Sequence, residues 1–105
     1  MSYYDWRPTP GFIKEHHVSN LERAFERVNQ YTRDWNYWCD IDGWNIERWH
    51  DSMVDDALTL ARVFEKPELV DLTKAALVIF ESARKQLIDS AEFKATVAKL
   101  REVLE

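Results

Sequence analysis

From Leu21 to the end of the chain the apolar residues recur every three or four positions. That spacing fits a helix and no other regular structure. Nowhere does a run of β-branched residues alternate with polar ones between turn signals, so strands are not expected. Ser19, followed by Glu22 three positions later, reads as a capping box. Behind it Leu21, Ala24, Phe25, Val28, Tyr31, Trp35 and Trp38 form one stripe. Gly43 supplies a stop, because glycine closes a helix in the left-handed conformation without a Cβ penalty. The first helix is therefore expected over about 20–41.

Asn45 suits the N-cap of a second helix, with Ile46, Trp49, Met53, Ala57, Leu60, Ala61 and Phe64 on one face and an end near Glu65. Pro67 suits the first position of a third, where its missing donor costs nothing. Leu69, Leu72, Ala76, Ile79 and Ala83 then make a near-heptad seam. Val70, Leu77, Val78 and Phe80 widen it, so this helix is expected to be central or to form a dimer seam. Asp89 and Glu92 form a second capping box, ahead of Phe93, Val97, Leu100 and Leu104. Short links favour antiparallel neighbours. The expected fold is all-α, a small bundle of about four antiparallel helices over residues 19–105.

Residues 1–18 read as an irregular N-terminal arm of the same single domain, because Pro8 and Pro10 each remove a backbone donor and Gly11 allows a turn. Tyr3, Tyr4, Trp6 and Phe12 crowd this arm with rings, which are expected to pack on something.

Composition narrows the function. Lys and Arg total 14 against 19 Asp and Glu, a formal charge of −5. No nucleic-acid partner is expected, since phosphate binding calls for a basic patch. No apolar run approaches the roughly 20 residues of a membrane span, and the first residues lack the charged start and apolar core of a signal peptide. Cys39 is the single cysteine, so no intrachain disulfide forms. A cytosolic protein without a membrane partner is expected.

Catalytic patterns are thin. Glu47 and His50 have the Glu-x-x-His spacing of di-iron bundles. A second motif is missing, so a metal-binding, ferroxidase-like half-bundle would need dimerisation to complete it. The plainer reading puts Glu47 in a first turn, where the helix dipole favours an acid. Asp40-Ile41-Asp42-Gly43 resembles the start of a calcium loop, but Trp44 and Asn45 stand where an oxygen ligand and a glycine are required. Cys39 sits between Trp38 and Asp40 near the expected end of helix one, where apolar surroundings, an adjacent acid and a helix C-terminus disfavour the thiolate, so a buried structural cysteine is expected. The two glycines, Gly11 and Gly43, make no phosphate loop. No cofactor and no enzymatic activity are expected.

What remains is aromatic excess. The five tryptophans include Trp6 and Trp44, which fit no stripe. Tyrosine and tryptophan dominate binding hot spots because they bury large area at low entropic cost. The expected partner-binding residues are Tyr3, Tyr4, Trp6, Phe12 and Trp44. The expected role is a small acidic, non-enzymatic protein that inhibits a larger protein by masking its interaction or dimerisation surface. An antiactivator of a transcription factor is the leading case, a toxin-neutralising immunity protein another. A homodimer through helix three is expected alongside.

Overall fold

The computed structural model describes residues 8–30, 45–85 and 91–105. These fold into four α-helices, α1 (Pro10–Gln30), α2 (Ile46–Val63), α3 (Glu68–Lys85) and α4 (Ala91–Leu104), with no strand among the described residues.

The first helix starts ten residues earlier than its capping-box signal suggests. Thr9 is the true cap: its hydroxyl accepts from the Phe12 N–H at 3.3 Å, and its carbonyl accepts from the Ile13 N–H at 3.0 Å. Pro10 follows at the first helical position, where its fixed φ suits the turn. The two prolines therefore mark a helix start rather than an irregular arm. Residues 10–18 are helical, and Ser19 lies inside α1. Ile13, His17 and Val18 continue the stripe of Leu21, Ala24, Phe25 and Val28 backwards, and all seven are buried. Residues 1–7 and the expected end of helix one near 41 lie outside the described residues, with Tyr31, Trp35, Trp38 and Gly43.

Asn45 caps α2 as expected, accepting from the Arg48 N–H at 3.0 Å. The turn between α2 and α3 closes without glycine. Glu65 takes a left-handed φ of 57°, and the Lys66 N–H reaches back to the Ala61 carbonyl at 3.0 Å, the long bond of a Schellman end. Lys66 then donates through Nζ to the Val103 carbonyl in the last turn of α4, where a cation suits the helix dipole. Lys14 of α1 lies 4.9 Å from the Phe64 ring centroid. This turn is thereby tied to both flanking helices. Asp89, the proposed cap of the last helix, lies outside the described residues.

α1 and α3 each pack against all three other helices. One apolar cluster draws on all four, with Leu21, Leu60, Leu69, Phe80 and Leu100 almost wholly buried. Burial of each such side chain stabilises the fold by roughly 1.5–3 kcal/mol. This corrects the dimer seam of α3. Leu69, Ala76, Ile79 and Ala83 are buried within the chain itself, and Leu72 is half-buried against the same cluster. The breadth of the apolar surface reflects three intramolecular neighbours. Only Val78, 66% exposed, faces out among its large apolar residues.

Candidate functional site

A group of polar side chains lies where the first turns of α2 meet the last turns of α3. Apolar spacing sets it there: Trp49 of α2 rests on Phe80 of α3, with ring centroids 4.8 Å apart. That contact carries the next residue of each helix, His50 and Glu81, to the rim. His50 Nε2 lies 3.1 Å from Glu81 Oε1. Its N–H direction does not complete a hydrogen bond, so the contact becomes an ion pair only when the imidazole is protonated. Arg84, one turn along α3, donates from Nη1 to both Glu81 oxygens at 2.9 and 3.0 Å, while its Nε stays buried and unpartnered.

These residues line an open cleft of about 550 Å³ with Ile46, Glu47 and Asp51. Carboxylates outnumber the guanidinium, so the cleft attracts cationic groups. Its lining holds no serine, threonine, cysteine or lysine nucleophile. Glu47 is exposed in the first turn of α2. Of the proposed metal pair, His50 therefore faces Glu81 while Glu47 stands at the mouth. Among the described residues no three His, Cys, Asp or Glu side chains converge as metal ligands.

A second polar pair lies in the core. His17 of α1 and Thr73 of α3 are both wholly buried, and His17 Nε2 lies 2.9 Å from Thr73 Oγ1. His17 Nδ1 has no partner. Burial lowers the imidazole pKa to about 4, because a cation in this apolar setting is poorly solvated. The ring is therefore neutral at pH 7. Neither residue lines a cleft described among these helices, and the pair ties α1 to α3.

The outer face of α2 carries a third feature. Glu47, Asp51 and Asp55 stand one turn apart and exposed, with Leu58 next in the same stripe at 51% exposure. No cation among the described residues pairs with any of the three. Burial, and then the neighbouring Asp55, push the Asp56 carboxyl above its usual pKa. Acid crowding here is thus felt within the helix.

Of the expected partner-binding aromatics, Phe12 is on α1, 47% exposed, with its ring 4.3 Å from that of His16. Tyr3, Tyr4, Trp6 and Trp44 lie outside the described residues, as do Cys39 and Asp40–Asp42. Sequence reasoning missed His17, Thr73, Glu81 and Arg84. Two signals were available. His17 falls one turn before Leu21, and Thr73 is a polar residue inside the α3 stripe. Glu81 and Arg84 had only an i, i+3 spacing to mark them. No helix among the described residues is long and apolar enough to cross a membrane. Comparison with protein-family models, curated proteins and solved structures finds no match.

Proposed function

We propose that the chain is a small, acidic, non-enzymatic protein-binding regulator. It inhibits a larger protein by covering an interaction or dimerisation surface, an antiactivator of a transcription factor being the leading case. The observation that carries this reading is the α2 ridge: three exposed carboxylates on successive turns, without an ion pair among the described residues, followed by an exposed leucine. Such a ridge matches a basic surface with an apolar notch. Charge steers the encounter, and the leucine with the aromatic residues Tyr3, Tyr4, Trp6, Phe12 and Trp44 anchors it. The bundle that presents the ridge is antiparallel in this reading. Glu22 meets Arg101 where Phe25 meets Phe93, an order that supports opposed directions for α1 and α4. The protein acts in the cytosol.

The test compares capture from the source organism's lysate by the wild type and by a ridge variant combining Glu47→Gln, Asp51→Asn, Asp55→Asn and Leu58→Ala. These positions are exposed, so the fold is retained. The expected result is one stoichiometric protein held by the wild type and lost by the variant. Equal capture by both, or none by either, overturns the reading.

A further inference from the structure

The groove between α1 and α4 has two walls of opposite charge. Its floor is Phe25 stacked on Phe93, with centroids 4.0 Å apart and planes within 12°. Glu22 and Glu26 rise on the α1 side, Lys94 and Arg101 on the α4 side, around an open volume of about 430 Å³. Glu22 and Arg101 already close on each other at 2.6 Å. Glu26 and Lys94 are exposed and make no ion pair among the described residues.

We propose that this groove is a homodimer interface, occupied by the same groove of a second copy, with Glu26 of each copy paired to Lys94 of the other. The argument is geometric. A two-fold axis parallel to the groove lays the α1 wall of one copy over the α4 wall of the other. Rotation about such an axis preserves height along the groove. Phe25 and Phe93 are stacked, so Glu26 and Lys94, one residue on along helices that run in opposite directions, differ in backbone height by only about 3 Å, which these long side chains span. The operation therefore brings opposite charges face to face twice, once at each edge, as an isologous interface requires. The alternative axis, perpendicular to the helices, opposes acid to acid and base to base, and like-charge juxtaposition is costly. The net charge of −5 repels the two copies at long range. At about 0.15 M salt that repulsion is screened beyond roughly 8 Å, while the paired contacts are not.

This inference uses a different face from the α2 ridge and is independent of the partner-masking reading. Sedimentation velocity of the full chain tests it, from about 1 to 200 µM at physiological salt. The expected mass rises with concentration from 12.5 kDa to twice that. Glu26→Lys alone and Lys94→Glu alone each set like charges together at both edges, and each is expected to weaken the dimer roughly tenfold or more. An equimolar mixture of the two single variants restores opposite charges at both edges and regains wild-type association. Circular dichroism checks that both variants keep their helices. A strict monomer throughout, a dimer indifferent to either reversal, or a mixture no stronger than its components overturns the proposal.

Discussion

Two histidines on neighbouring helices meet α3 in opposite ways. His17 is enclosed, bonded to one neutral hydroxyl, and held neutral by desolvation. His50 is half-exposed at a cleft and faces a carboxylate that Arg84 already grips. The same side chain thus locks two helices together in one place and joins a solvent-facing charge cluster in the other. Burial decides the difference. In the core an imidazole persists as a polar pin only while uncharged, whereas at the rim it stands 3.1 Å from the Glu81 carboxylate.

The largest expected effect breaks the buried pin with acid. The folded pKa of His17 lies near 4, below its ordinary 6.5. The unfolded chain therefore takes up the proton first. Stability is fully present above about pH 6.5 and is lost as pH falls toward 4, by about 3 kcal/mol in all. Urea unfolding across that range shows the loss, and His17→Leu removes the His17 share. A wild-type curve flat from pH 6.5 to 4.5 breaks the comparison.

Next is Thr73→Val, which keeps the shape and leaves both His17 nitrogens unpartnered. It is expected to cost about 1–3 kcal/mol. Combining it with His17→Leu is expected to return most of that, since removing both polar partners is cheaper than orphaning one. Additive costs in the double-mutant cycle show instead that the pair is not coupled.

At the rim, Glu81→Gln is expected to cost less than about 1 kcal/mol, because the cluster is half-exposed and water screens it. A loss as large as that of Thr73→Val places Glu81 in the same class as the buried pair. The smallest effect, with the opposite sign, lies away from both histidines. Glu65→Gly relieves a left-handed residue and is expected to stabilise the protein by about 0.5–1 kcal/mol. Thermal melts against wild type read it.

The helical class was legible because the 3.6 period runs through almost every described segment. Asn45 was legible as a cap because its side chain acts within one turn. The start of α1 was misread for an instructive reason. Ser19 with Glu22 and Thr9 with Pro10 are both valid local signals, and only the buried positions of Ile13 and His17 choose between them. Glu22 is committed to Arg101, a residue of another helix. The α3 seam shows a similar ambiguity. A core and an interface require the same side chains, so the sequence of α3 is silent about which one it makes. Glu81 and Arg84 were invisible as members of a cleft, because the facing wall comes from α2.

Local chemistry therefore determined where most helices form, how α2 begins, and which stripe of each turns inward. Those properties depend on residues within a turn of one another. The tertiary structure alone decided that α3 is enclosed by its own chain, that His17 finds Thr73, and that Glu22 serves α4 rather than a cap. Each of those outcomes is a contact between residues far apart in sequence. Its free energy depends on burial and on the partner's position, and neither is encoded in the spacing of the residues that make it.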